Sequence, residues 1–318
     1  MPLIQYRAFS DEIQLTIRSF GCLFCPFIRI KRNGILRIEV VVLKDFRSIS
    51  KRRRRYMSLT IGEIKEKIKE IESEDDPLFR EWLRDERKGV QKLIQAWYKE
   101  QEKKQREKEQ FRSLFTYENK AKKKGYSIIA GIDEVGRGPL AGPVVAAAVI
   151  LSEDFYLPGL NDSKKLSKAK RESYYTYIKQ HADIGIGIVD HKEIDQLNIY
   201  QATKKAMQLA VQSLARTPDY LLIDAITLPL SVPQESIIKG DSKSASIAAA
   251  SIVAKVERDR MMEQFAKKYP YYGFDQNMGY GTKEHLAGLK IYGPSDIHRL
   301  SFSPVKEIVE SLKGEKIH

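Results

Sequence analysis

Only two cysteines occur in the sequence, Cys22 and Cys25, and nothing that would complete a tetrahedral zinc site stands near them. A structural zinc ion takes four ligands, and none of the five histidines lies at a finger-like spacing from the pair. The CxxC therefore reads as two incidental thiols in a reducing compartment rather than a metal or redox centre. Long apolar runs are missing too. The most apolar stretch, Ile13 to Ile30, is interrupted by Arg18 and Arg29, which excludes a membrane-spanning helix there. The N-terminus lacks the ordered basic start, apolar centre and small-residue cleavage site of a secretory signal, so the expected compartment is the cytoplasm. No internal repeat is visible, which excludes a solenoid array.

What is abundant is positive charge. The 318 residues carry a net +13, and the length suggests about two domains. The charge is uneven. Residues 1–56 hold 13 Lys and Arg against 4 Asp and Glu, a net +9, while residues 57–127 hold 18 against 15 and residues 128–318 hold 24 against 23. A nearly neutral region with inward-facing carboxylates can still present a basic outer face, so charge alone does not identify a nucleic-acid partner.

Residues 1–56 contain a strand-like run, Ile35 to Leu43, then the cluster Lys51-Arg52-Arg53-Arg54-Arg55, which suits phosphate contact or plain solvation. Met57 follows, and Thr60-Ile61-Gly62-Glu63 reads as a capping box opening an amphipathic helix. This looks like a natural chain start. Residues 1–56 are accordingly expected to be an upstream extension, and a chain beginning at Met57 is expected to keep full activity. Residues 57–127 read as a helical accessory region of two or three helices, interrupted at Asp75-Asp76-Pro77, with Gln101 to Arg112 as an exposed helix or linker. Lys120, Lys122, Lys123 and Lys124 would allow that region to grip a duplex, although a small helical appendage is the favoured reading of the pattern.

After Gly125 the pattern becomes α/β. Strands are expected over Ser127 to Asp133, Val144 to Leu151, Ile184 to Val189, Tyr220 to Asp224 and Ser236 to Lys239. Helices are expected over Ser167 to His181, Lys192 to Arg216, Ser244 to Lys268, Lys283 to Ile291 and Val305 to Leu312. Strands interleaved with helices imply a mixed five-stranded sheet covered on both faces over residues 128–318, behind an N-terminal helical extension.

Acidic residues stand where these strands end. Asp133 and Glu134 close the first, Asp224 closes the fourth, and Asp241 follows the fifth. An extended pair such as Asp133 and Glu134 would point apart, but the glycine-rich stretch Gly136-Arg137-Gly138 after it could turn both toward one site. Converging carboxylates repel, and a hard cation such as Mg²⁺ or Mn²⁺ relieves them. Such a centre suits two-metal phosphodiester hydrolysis. Any one of these acids taken alone could simply mark a strand exit.

The string Asp133 to Ala148 (DEVGRGPLAGPVVAAA) closely resembles the opening of bacterial ribonuclease HII. So do Asp162-Ser163-Lys164-Lys165-Leu166, the block from Gly240-Asp241-Ser242 to Arg260, Gly279-Tyr280-Gly281-Thr282-Lys283-Glu284-His285, and His298-Arg299-Leu300-Ser301-Phe302. The similarity spans residues 128 to about 304 in the family's order. It implies a ribonuclease H-like fold, with Asp133, Glu134, Asp224 and Asp241 as catalytic and metal-binding acids for Mg²⁺ or Mn²⁺. It also implies that the backbone of Gly136, Arg137 and Gly138 reads a ribose 2'-hydroxyl, with Tyr280 packing on the sugar. A tight turn alone would also explain Gly136 and Gly138, and packing alone would explain Tyr280. Asp162, Ser163, Lys164 and Lys165 read as a polar loop in which Ser163 and Lys164 are expected at substrate phosphates, with surface solvation as the alternative. His285 and His298 read as structural, and Arg258, Asp259 and Arg260 as an ion-pair cluster. The related ribonuclease HIII has a Lys where this chain has Arg137 and a Glu as its fourth acid, so Arg137 and Asp241 favour type HII.

The resemblance implies an endonuclease that cuts the RNA strand of RNA/DNA hybrids and cleaves 5' to ribonucleotides embedded in duplex DNA, leaving 3'-hydroxyl and 5'-phosphate ends. Its partners would be those nucleic acids and no membrane, with the protein acting as a monomer. A non-catalytic hybrid-binding protein, or a nuclease of other specificity on the same fold, are the alternatives.

Overall fold

The computed structural model describes residues 3–9, 12–18, 27–31 and 59–314. The Ile35 to Leu43 run, Cys22, Cys25 and the basic cluster at 51–55 lie outside the described residues. The chain divides into two compact units, Met1–Gln101 and Glu102–His318.

In the first unit, β1 (Leu3–Phe9), β2 (Glu12–Arg18) and β3 (Phe27–Lys31) form an antiparallel sheet in that order, which the pattern of the sequence did not announce. Helix α1 (Ile61–Lys67) opens with the expected capping box: the Glu63 amide donates to Thr60 Oγ1 at 3.2 Å, and the Thr60 amide donates to Glu63 Oε2 at 2.7 Å. At Asp76-Pro77 a new helix, α2 (Pro77–Trp82), starts with Asp76 as its cap and Pro77 in the first turn, where the missing N–H costs nothing. Ile64, Ile68, Phe79, Trp82, Val90 and Trp97 form the core of these helices. The third helix, α3 (Lys88–Leu114), runs unbroken through Gln101 to Arg112.

The second unit begins inside α3, whose Phe111 and Leu114 are buried in it, and continues through α4 (Thr116–Lys123). Glu118 on α4 is a buried carboxylate that accepts hydrogen bonds from Ser244 Oγ (2.6 Å), Ser246 Oγ (2.6 Å) and the Ser246 amide (3.0 Å).

The sheet contains β4 (Ile129–Val135), β5 (Val144–Leu151), β6 (Ala182–Val189), β7 (Tyr220–Asp224) and β8 (Gln234–Ile237), with helix α5 (Lys168–His181) between β5 and β6. Its order is β6-β5-β4-β7-β8, and the β4–β7 and β7–β8 pairs are parallel while the others are antiparallel. The single helix expected over Lys192 to Arg216 is instead two, α6 (His191–Leu197) and α7 (Ile199–Gln212). Asn198 breaks it with φ 67 and ψ 161, a strained conformation rare for a residue with a side chain, and caps α7 by accepting from the amides of Tyr200 and Gln201.

Helix α8 (Ala245–Lys268) covers one face of the sheet, packing with Ala147 and Val149, and α7 covers the other, packing with Ala146 and Ala148. The alternation along β5 assigns each residue of the paired β4 to a face. Gly131 lets α8 lie directly on β4, since a Cβ there would stand 2.2 Å from the Ser246 carbonyl carbon. Helices α9 (Phe274–Asn277), α10 (Lys283–Tyr292) and α11 (Val305–Gly314) finish the chain. No helix among the described residues is long and apolar enough to cross a membrane.

Candidate active site

The site gathers at the end of β4 and β7. Their parallel register pairs Ile132 with Ile223, so Asp133 and Asp224 are the next residues on adjacent strands, roughly 5 Å apart along the backbone and facing the same side. Asp133 pairs with Ala147 across β5 and so faces α8, where the nearby Ser251 hydroxyl favours its charged form. Its Oδ1 also accepts from the Glu134 amide at 2.7 Å. The pair was expected where β4 ends. The strand instead continues through Val135, so alternation sends Glu134 to the opposite face from Asp133. Glu134 still feels the Asp224 charge, and Arg137 Nη1 lies 3.4 Å from its Oε1. Asp224 ends β7, and its Oδ1 accepts from the Gly240 amide at 2.7 Å, which brings Asp241 into the same group.

Electrostatically this group is strained. Burial pushes the Asp133 carboxyl well above the ordinary range, and the nearby Glu134 and Asp224 charges push it further. Burial raises Glu134 as well, against the pull of Arg137. Asp241 is raised by burial and then by Asp162 and Asp224, with Lys164 opposing. Among the described residues, no three His, Cys, Asp or Glu side chains stand close enough to enclose an ion as they are placed. Asp133, Glu134 and Asp224 each take a protein partner instead. The donor set is nonetheless all oxygen, as a hard divalent cation requires. Glu134 Oε2 is buried with no hydrogen-bond partner, and three acids carry raised proton affinities that a cation would reverse. The residues fit such an ion in kind and in backbone position.

The Gly136–Gly138 loop lies beside these acids. Gly136 has φ 94, and a Cβ there would sit 2.2 Å from Arg258 Nε and 2.7 Å from the Pro143 carbonyl oxygen, so no other residue fits this turn without displacement. A Cβ at Gly138 would stand 3.5 Å from Tyr280 Cε1, which sets the half-exposed tyrosine ring against the loop. The loop residues and Tyr280, 142 positions apart in sequence, thus share one surface.

Ser163 is not at the surface as expected for a phosphate contact: its hydroxyl is buried against Ser251 Oγ at 2.9 Å. Lys164 is exposed and acts on Asp241. Sequence reasoning missed Asp162 as a carboxylate of this group, and Ser251, a lone hydroxyl in the run Ala248-Ala249-Ala250-Ser251, which is the one visible hint. It also missed the two buried arginines. Among the described residues Arg258, read from the sequence as part of an ion-pair cluster, belongs to no ion pair. It donates to the carbonyls of Pro143 (2.9 Å), Met278 (2.9 Å) and Ala141 (3.2 Å), while Lys255 pairs with Asp259 and Arg260 with Glu172, each at 2.7 Å. Burial lowers Arg258 to about 10 and Arg299 to about 9, leaving both charged at neutral pH.

The family model for ribonuclease HII matches residues 130–305, and that for the ribonuclease HII N-terminal domain matches residues 60–122. Ribonuclease HII of a Bacillus cereus strain is 60% identical over 253 residues, 79% of this chain and 98% of the relative. That of Bacillus mycoides is 59% identical with the same coverage. Among solved structures, the ribonuclease H2 from Pyrococcus horikoshii OT3 superposes with a TM-score of 0.52 at 27% identity, covering 59% of this chain and 99% of that one.

Proposed function

The chain belongs to the ribonuclease HII family, and from that premise we propose that it hydrolyses the RNA strand of RNA/DNA hybrids and cuts 5' to ribonucleotides embedded in duplex DNA, with Asp133, Glu134, Asp224 and Asp241 as its acidic centre. The observation that carries this reading is the β4–β7 register, which sets Asp133 beside Asp224 next to a glycine loop that abuts Tyr280. Mg²⁺ or Mn²⁺ held by these acids would supply Lewis-acid activation of water and charge neutralisation at the scissile phosphate. Asp133 and Asp224 supply oxygen donors on one face, Glu134 supplies its unpartnered Oε2, and Asp241 completes the group from beyond β8.

The chain itself performs the recognition. Around Gly136 and Gly138 no side chain stands between backbone and substrate, so peptide groups of the loop can reach a 2'-hydroxyl that DNA lacks. The exposed face of Tyr280 stacks on the adjoining sugar, and a Cβ at Gly138 would lie in ordinary contact with its ring. Lys164 approaches a phosphate from beside Asp241. Ser163 acts from behind, through Ser251 on Asp133. We assign residues 57–127 as an accessory region and residues 1–56 as dispensable. The protein is taken to act as a cytoplasmic monomer.

Mapping the cut on a DNA duplex with one ribonucleotide tests the whole reading. Cleavage 5' to the ribonucleotide, dependent on Mg²⁺ or Mn²⁺ and absent on all-DNA, is expected, with 3'-hydroxyl and 5'-phosphate products. Cutting of all-DNA points to another nuclease on this fold, and binding without cutting to a hybrid-binding protein.

A further inference from the structure

Two neighbouring buried residues that the chemistry does not use, His298 and Arg299, reach the two parts of the sugar-reading surface separately. We propose that this dipeptide is a positioning element that fixes the Gly136–Gly138 loop and Tyr280 relative to one another, and so sets discrimination for ribose. The inference rests on the assignment of that loop and tyrosine to the sugar.

Arg299 holds the loop. Its Nη2 donates to the Gly136 carbonyl (2.5 Å), Nη1 to that of Arg137 (2.9 Å) and Nε to that of Gly142 (3.0 Å), while its own amide donates to the Leu140 carbonyl (2.9 Å). A planar guanidinium offers donors in a fixed fork, which a lysine ammonium at the same place could not reproduce. The segment from residue 136 to 142 is thereby tied to one side chain.

His298 holds Tyr280 through a second imidazole. The Ser295 amide (2.9 Å) lies against His298 Nδ1, so that nitrogen is an acceptor and the ring proton sits on Nε2. The Ser295 hydroxyl, at 2.8 Å from the same nitrogen, adds a second donor. His298 Nε2 is 2.9 Å from His285 Nε2, which must then accept, leaving the His285 proton on Nδ1. That Nδ1 is 2.9 Å from the Tyr280 carbonyl, an acceptor only. One proton per ring satisfies every nitrogen in a single sense from Ser295 to Tyr280. Both rings are fully buried and packed edge-on to Phe274 or Tyr272. Burial pushes both imidazoles down, His298 to about 3, so the relay stays neutral. Tyr280, half exposed, therefore projects from a backbone whose carbonyl is anchored in the interior.

A double-mutant cycle tests the element. Cleavage of a DNA duplex with one ribonucleotide is measured for wild type, His298→Leu, Tyr280→Ala and the double variant, with the thermal midpoint and the Mg²⁺ concentration for half-activity recorded for each. His298→Leu is expected to lower kcat/KM about tenfold or more without moving the Mg²⁺ midpoint, and His298→Gln, which keeps a donor toward His285, to recover most of it. The double variant is expected to be no worse than Tyr280→Ala. A folded His298→Leu that cuts normally, or a loss that multiplies with that of Tyr280→Ala, overturns the proposal and leaves the sugar assignment standing. A harmless Tyr280→Ala overturns the sugar assignment itself. If His298→Leu fails to fold, imidazole ¹⁵N shifts of the wild-type protein decide: protons on His285 Nδ1 and His298 Nε2 support the relay, and the opposite tautomer on either ring overturns it.

Discussion

Arg299 gives three hydrogen bonds to carbonyl oxygens around the Gly136–Gly138 loop, whereas Asp133, also buried, feels the charges of Glu134 and Asp224. These neighbouring parts of one site are held in opposite ways. The loop and Tyr280 rest on Arg258, Arg299 and a neutral pair of histidines, of which the arginines and His285 donate to backbone carbonyls. The acids keep their places because β4 and β7 put them there, while their charges oppose it. The half proposed to read the sugar is over-determined and the acidic half is strained, as expected if rigid discrimination is the task of the one and capture of a cation that of the other.

The sharpest way to break this comparison is Asp133→Asn. It removes one oxygen donor and one charge from the most buried of the acids without changing volume, and the loss of cleavage should be roughly a thousandfold or more. Binding to an uncut hybrid should stay measurable, because the loop and Tyr280 are untouched. Near-normal cleavage by the Asn variant in Mg²⁺ would refute the role given to the acidic half.

Gly136→Ala probes the rigid half. The left-handed backbone strains any L residue by about 1–2 kcal/mol, and the new Cβ meets Arg258 Nε and the Pro143 oxygen at 2.2 Å and 2.7 Å, neither of which is free to move. A destabilisation of more than about 2 kcal/mol is expected in urea unfolding, with cleavage of the single-ribonucleotide duplex falling further than cleavage of a uniform hybrid. A fully stable, fully active variant would show that the loop is not held as described.

How much of this was legible beforehand divides along the same line. Asp133, Asp224 and Asp241 were candidates because they stand where apolar strands end, but it was the family resemblance that singled them out, while the five-stranded sheet followed from strand and helix periods. Gly136 and Gly138 were visible because glycine is the residue a tight backbone demands. Arg258 and Arg299 were not, since a side chain that bonds main-chain carbonyls needs no complementary residue and leaves no trace in sequence. Asp162 was read as part of a polar loop because only the tertiary fold brings it to Asp241. The break at Asn198 was hidden for a local reason: asparagine within an apolar-periodic run looks like any other polar helix position until its φ is known.

The strain in the acidic half also has a thermodynamic signature, smaller than the effects above and opposite in sign. Asp133 has a folded-state proton affinity raised above that of the unfolded chain. A group of that kind costs nothing while it is protonated in both states, and its cost grows as pH rises through the folded value, because the unfolded chain gives up the proton more readily. Without divalent cation, the Asn variant should therefore be more stable than wild type at pH 8, by on the order of 1–3 kcal/mol, and the two should converge toward pH 4. Adding Mg²⁺ or Mn²⁺ should stabilise the wild type more than the variant, since only the wild type gains the full ligand set. Chemical denaturation of both proteins at the two pH values, with and without the cation, reads all of these. Equal stability at pH 8 in chelator would mean that β4 and β7 hold Asp133 beside Asp224 without electrostatic cost, and the contrast between the two halves of the site would disappear.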